Sequence, residues 1–157
     1  MKNGIVYLKG DATAPSSKGM KIIAHVCNDI GGWGKGFVLA VSKRWKEPES
    51  QYRKWHREKD DFQLGEIRLV QVEPYVYVAN MIAQKGIKAG SEGVPIRYEA
   101  LEKCLISLSQ KAIELNASVH MPRIGCGLAG GKWEEIEPLI LDALVGNGVD
   151  VFVYDFE

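Results

Sequence analysis

The stretch His120-Met121-Pro122-Arg123-Ile124-Gly125-Cys126-Gly127-Leu128-Ala129-Gly130-Gly131-Lys132-Trp133 decides how the rest of this chain is read. Residues 117–121 at its head have the composition of a short strand, and residues 134–145 behind it carry the spacing of an amphipathic helix. Four glycines, Gly125, Gly127, Gly130 and Gly131, lie between them. Glycine admits φ > 0 and lets a ligand approach the main chain without meeting a Cβ. A glycine-rich turn from strand to helix aims several backbone N–H groups at one spot, beside the positive end of a helix dipole. That is an anion site, and its usual occupant is phosphate.

The same pattern stands nearer the start of the chain. Residues 21–26 are almost wholly apolar from Ile22 on, as expected of a strand buried on both faces. Cys27-Asn28-Asp29 leads into a second loop holding Gly31, Gly32, Gly34 and Gly36, with Trp33 and Lys35 among them. A helix follows with Phe37, Val38, Val41 and Trp45 on one face. Glu47-Pro48 opens another, proline at its tolerated first position, with Tyr52 and Trp55 as the apolar stripe.

Working outward, residues 5–8 form an opening strand that ends in the polar turn Lys9-Gly10-Asp11-Ala12-Thr13. Residues 67–72 and 75–82 are strands joined at Glu73-Pro74, and residues 83–94, with Gln84, Lys85 and Lys88, are expected to be a mobile loop. A helix over 96–115 turns Leu101, Cys104, Leu105, Leu108, Ala112 and Leu115 inward. The helix after the quoted stretch does the same with Ile136, Leu139, Ile140, Ala143 and Leu144, and Pro138 falls in its first turn or so. Residues 149–154 close the chain as a strand. With no repeat, low-complexity tract or linker, the expectation is one α/β domain over residues 1–157, a mixed sheet with helices on both faces.

Composition removes several classes of function. Lys plus Arg and Asp plus Glu balance at 20 each, so no long-range field favours nucleic acid or an anionic membrane. Any anion must be held by local geometry. Cys27, Cys104 and Cys126 form no CxxC pair and fit a reducing compartment. There is no signal-peptide core, no run of about 18 apolar residues and no cluster with metal-ligand spacing. The expectation is a cytoplasmic protein, a monomer by default, with no metal, no cofactor, no membrane and no nucleic-acid partner.

Two motifs overlap the quoted stretch. Gly125-Cys126-Gly127-Leu128-Ala129-Gly130 spells GxGxxG, with Asp150 further on. A dinucleotide fold begins with that motif, however, and here a single strand remains after it. A phosphate-binding loop ending at Lys132 would need glycine where Cys126 stands and a hydroxyl where Trp133 stands. Two glycine loops, each between a strand and a helix, instead suggest a clamp on a pair of phosphates at the strand C-termini.

At these residues the sequence resembles the macrodomain, an ADP-ribose-binding module. The likeness runs through Gly10-Asp11-Ala12-Thr13, Ala24-His25-Val26-Cys27-Asn28 and Met121-Pro122-Arg123-Ile124-Gly125-Cys126-Gly127-Leu128. It is strongest to the branch containing terminal ADP-ribose protein glycohydrolase and the yeast-type ADP-ribose-1″-phosphate phosphatase. The resemblance implies a three-layer α/β/α fold around about six strands, and ADP-ribose, its derivatives or ADP-ribosylated proteins as partners. It implies that Asp11, beside Ala12, accepts from the adenine amino group, and that Gly125, Cys126, Gly127 and Leu128 wrap the diphosphate, flanked by Arg123, Ala129 and Gly130. Asn28, Gly32, Trp33 and Gly34 would lie along the distal ribose. Tyr154 or Phe156 would flank adenine, or else seal the sheet edge.

Catalysis is where the sequence departs from that branch. The branch has an aspartate where Ala129 stands, and its lysine nucleophile falls at Gln84, one residue before Lys85. His25 is the other candidate, either a general base near neutral pH or a hydrogen-bonded core histidine. Asn28, Lys85 and His25 are therefore the candidate catalytic residues, and His120 is expected to support the second loop from beneath. The chain is read as a hydrolase of an ADP-ribose derivative, or alternatively as a reader that binds without chemistry.

Overall fold

The computed structural model describes residues 4–88 and 93–156. Its strands are β1 (Val6–Lys9), β2 (Lys21–Asn28), β3 (Ile67–Glu73), β4 (Val76–Gln84), β5 (Ser118–Met121) and β6 (Val151–Asp155). Its helices are α1 (Phe37–Arg44), α2 (Glu47–Glu58), α3 (Tyr98–Leu115) and α4 (Trp133–Ala143). The sheet runs β1-β6-β5-β2-β4-β3, parallel throughout except for the edge strand β3, which pairs antiparallel with β4. All five parallel strands therefore deliver their C-terminal ends to one rim.

Period-two alternation sorts the apolar residues onto two faces. Ile22 and Ala24 of β2, Ala79 and Met81 of β4, and Val119 and Met121 of β5 pack under α3 and α4, against Leu101, Leu105, Leu108, Ile136 and Ile140. On the other face Ile23, Val78 and Ile82 meet Val38 and Val41 of α1 and Tyr52 and Trp55 of α2. Each fully buried large side chain contributes about 1.5–3 kcal/mol. This gives the three-layer α/β/α arrangement, with β2 and β4 buried on both faces as their unbroken apolar runs imply.

Three boundary differences from the sequence reading matter most. The last helix starts at Trp133, so Pro138 lies within its second turn. Pro138 is exposed there, and the carbonyl that loses its intrahelical donor can be hydrated. Trp45 ends α1 in an extended conformation, and its indole N–H donates to Glu73 at 2.9 Å. Ala83 and Gln84 finish β4 and do not open a loop. Residues 89–92, the middle of the loop expected to be mobile, lie outside the described residues. Among the described residues no helix is long and apolar enough to cross a membrane, and no group of three or more His, Cys, Asp or Glu is placed to hold a metal.

Candidate functional site: a cleft between two glycine loops

Neighbouring strands β2 and β5 send the chain to opposite faces, toward α1 and toward α4. Such a divergence opens a crevice at the strand C-termini. A cleft of about 520 Å³ lies there. Asn28, Gly32, Trp33, Gly34 and Lys35 line it from the first loop, Leu128 from the second, Gln84, Ile87 and Lys88 after β4, and Arg53 from α2. Lys35, Arg53 and Lys88 bring three cations to it, Arg53 paired with Glu49 at 2.9 Å, and among the described residues no carboxylate or imidazole lines it. In a chain whose formal net charge is zero, this local excess selects an anion.

The first loop is built around Asn28. Its Oδ1 accepts from the N–H groups of Ile30 (3.0 Å) and Gly32 (2.9 Å), while its Nδ2 donates to the Gly32 carbonyl at 2.9 Å. The buried Tyr52 hydroxyl fastens this turn from beneath, lying 2.6 Å from the Asn28 carbonyl and 2.8 Å from its Oδ1. Asn28 lines the cleft, but its carboxamide is occupied in shaping the loop. Trp33 lies under the same loop, its indole N–H on Ser42 at 2.7 Å. The loop then enters α1 through Gly36 (φ 82°), with no side-chain cap and no acidic residue in the first turn. The positive end of that helix is left uncompensated at the cleft.

The second loop is held by its own backbone. Gly131 N–H donates to Gly125 C=O at 2.7 Å, and Gly130 N–H to Gly127 C=O at 2.9 Å. Gly125, Gly127 and Gly130 all adopt φ > 0, at 76°, 64° and 78°. A short 3-10 turn spans Gly127–Ala129. The N–H groups of Gly127 and Leu128 head that turn and find no acceptor within it. Leu128 is 63% exposed and reaches toward Gly36, where a β-carbon would stand 3.5 Å from its Cδ1. Ala129 is buried, with its carbonyl accepting from Ile96 N–H at 3.0 Å. Burial raises the Cys126 thiol above its ordinary range, so it is no thiolate near neutral pH.

The other residues singled out from the sequence lie elsewhere. His25 is 1% exposed, with Nε2 on Asn80 Oδ1 at 2.6 Å and its ring edge-on to Trp33. Burial pushes its pKa down to about 4, although the Asn80 hydrogen bond acts against this. A ring sealed behind Trp33 cannot exchange a proton with a ligand in the cleft, so His25 is a core histidine and its catalytic reading is withdrawn. Strand alternation likewise puts Gln84, not Lys85, on the cleft side; Lys85 is exposed and does not line the cleft.

Asp11 and Ala12 lie beyond the lining. Asp11 Oδ1 accepts from Thr13 N–H (2.8 Å) and Thr13 Oγ1 (2.7 Å), and its other oxygen is 3.4 Å from Arg44. Burial would raise the Asp11 carboxyl, but these hydrogen bonds and the Arg44 charge outweigh it and hold it low. Arg123 makes a two-pronged bond to Asp155 (2.6 and 3.0 Å) and stacks on Tyr7 and Trp133, so the structure assigns its guanidinium to the sheet edge. Tyr154 is buried with its hydroxyl 2.8 Å from His120 Nδ1, which is the sheet-sealing alternative, while Phe156 is 82% exposed. His120 does not support the second loop. Stacked on Phe152, it holds Ser17 (3.3 Å) and Ser118 (2.8 Å) under the crossover from β1 to β2. Burial pushes its pKa down to about 4.

Sequence reasoning missed Tyr52 as the prop under Asn28, Asn80 as the partner of His25, and the cleft cations Arg53 and Lys88. Tyr52 and Arg53 sit on a helix whose apolar stripe marked only packing. Asn80, a polar residue in an otherwise apolar strand, was the one available signal.

Residues 24–140, well over half the chain and covering both loops, match the Macro domain family. The chain belongs to the macrodomain family. The fold of this macrodomain agrees with that of a solved macrodomain protein from Streptomyces coelicolor, 59% identical over 96% of this chain and 98% of that one, TM-score 0.87. Over 96% of the chain it is 27% identical to an ADP-ribose 1″-phosphate phosphatase of Lodderomyces elongisporus, covering 99% of that protein. It is also 33% identical to Chromodomain-helicase-DNA-binding protein 1-like of Danio rerio, but spans only 15% of that relative's length.

Proposed function

We propose that this macrodomain binds ADP-ribose in the cleft and hydrolyses an ADP-ribose derivative: the 1″-phosphate, an O-acetyl ester or an ADP-ribosylated protein side chain. The observation that carries the reading is the pairing across one cleft of two kinds of anion donor. The loop leading into the uncapped start of α1 and Leu128 at the head of the second loop's 3-10 turn line the same cleft, with Lys35, Arg53 and Lys88 on the walls. The diphosphate lies between the loops, and the distal ribose lies toward Asn28, Trp33 and Gln84. The cations and amides offset charge that develops on an oxygen leaving the distal ribose. In this reading the protein works as a cytoplasmic monomer without metal or cofactor.

A second reading, ADP-ribose binding without turnover, is favoured by two observations. Ala129 stands where the glycohydrolase branch has an aspartate, and among the described residues the cleft lining offers no carboxylate or imidazole as general base. One experiment separates the two. The protein is titrated with ADP-ribose and with NAD by calorimetry, then incubated with each of the three substrate types while free ADP-ribose is followed by chromatography. Release from at least one substrate is expected. Binding without release leaves the reader, and a preference for NAD, or no binding at all, refutes the assignment of the cleft.

A further inference from the structure

The backbone of Gly86 is held from both sides by side chains of two neighbouring strands' exits. Its N–H donates to Asp29 Oδ1 at 2.8 Å, and its carbonyl accepts from Gln84 Nε2 at 2.9 Å. Gly86 adopts φ 65°, so the chain reverses direction there with no steric penalty. The next two residues, Ile87 and Lys88, line the cleft. Both are exposed, so packing does little to hold them in place. Their orientation is inherited from the clamped peptide before them.

Asp29 is 57 residues from Gly86, so this is a long-range tie and not a local turn. The tie joins the exit of β2 to the exit of β4, strands paired up to Asn28 and Gln84. Asp29 does not itself line the cleft, so its negative charge does not face an anionic ligand there. A carboxylate accepting from an amide is also among the stronger hydrogen bonds available for such a tie.

We propose that Asp29 is a positioning residue that sets the 85–88 loop, and with it Lys88, against the bound nucleotide. The proposal rests on the ADP-ribose reading of the cleft. Asp29→Ala removes the acceptor, whereas Asp29→Asn keeps one.

Two measurements on the whole protein test it. Amide exchange by NMR reports the Gly86 N–H in the free protein, and calorimetry reports ADP-ribose affinity. Exchange at Gly86 is expected to quicken at least about tenfold in Asp29→Ala and much less in Asp29→Asn. Affinity is expected to fall about tenfold in Asp29→Ala and to recover most of that loss in Asp29→Asn. In a Lys88→Ala background, Asp29→Ala should cost less than about twofold, because the two residues act through one loop. An Asp29→Ala protein with unchanged Gly86 exchange, unchanged affinity, or the same loss with and without Lys88 overturns the proposal. If the wild type fails to bind ADP-ribose, the cleft reading falls, and the exchange result still decides whether Asp29 holds the loop.

Discussion

The two glycine loops of this macrodomain look alike in sequence and are built on opposite principles. The loop after β2 is shaped by side chains: Asn28 folds it, Tyr52 props Asn28, and Trp33 closes it over His25. The loop after β5 is shaped by its own main chain, through three left-handed glycines and two carbonyl bonds across the turn. Their electrostatics differ as well. The first runs straight into α1 with no acid in its first turn, while α4 carries Glu134 and Glu135 in its own. The second helix's dipole is thus already offset within the protein. The lesson is that, in the proposed reading, the first loop offers an anion a helix dipole and the second offers it bare amides.

That contrast can be broken most forcefully with acid. His25 beneath the first loop and His120 beneath the crossover are both neutral in the fold, pushed to about 4 from an ordinary 6.5. A lowered histidine pKa means that the unfolded chain takes up protons that the folded chain refuses. Stability is therefore full above about pH 7 and falls as pH drops from about 6.5 toward 4, by roughly 3 kcal/mol per ring at the end of that window. Urea unfolding at pH 7.5, 5.5 and 4.5 checks the sign. Amide exchange over the same range should show the first loop loosening before the second, which has no buried histidine under it.

Gly131→Val should be the most damaging single substitution within the second loop. A β-carbon there would stand 2.4 Å from the Gly125 carbonyl oxygen, so the loop's own closing bond must break. A loss of about 3 kcal/mol is expected in thermal unfolding. Asn28→Ala probes the first loop, where it strands the Ile30 and Gly32 amides while the Tyr52 hydroxyl keeps the residue-28 main-chain carbonyl. It should cost about 2 kcal/mol, and Tyr52→Phe less. Gly127→Ala sharpens the comparison with the smallest structural effect. Its φ of 64° is unfavourable for alanine, but no atom lies within 4 Å of the added carbon. The stability cost should be about 1 kcal/mol, while ADP-ribose affinity measured by calorimetry drops much further. A Gly127→Ala protein with undiminished affinity would place the ligand elsewhere.

The architecture was legible because burial writes itself into residue pattern. The unbroken apolar runs of β2 and β4 and the spacing of Leu101, Leu105 and Leu108 needed no partner to be recognised. The two glycine loops were legible for a similar reason, since positive φ and close backbone approach demand glycine locally. Chain alone therefore determined the α/β class, the two loops and the family likeness that the match to Macro domain bears out.

What only the tertiary structure decided was the direction and occupation of each polar side chain. Asn28 and Asp29 are adjacent in sequence, yet one folds its own loop and the other ties down Gly86. His25 reads as a base or, more often in such a strand, as a core residue, and Asn80 and Trp33 around it decide for the core. Lys85 and Lys88 differ by three positions, and the exit of β4 brings only Lys88 to the cleft. Hydrogen bonds and charges act over a few ångströms between residues far apart in the chain, so their partners are set by how the sheet and its loops assemble.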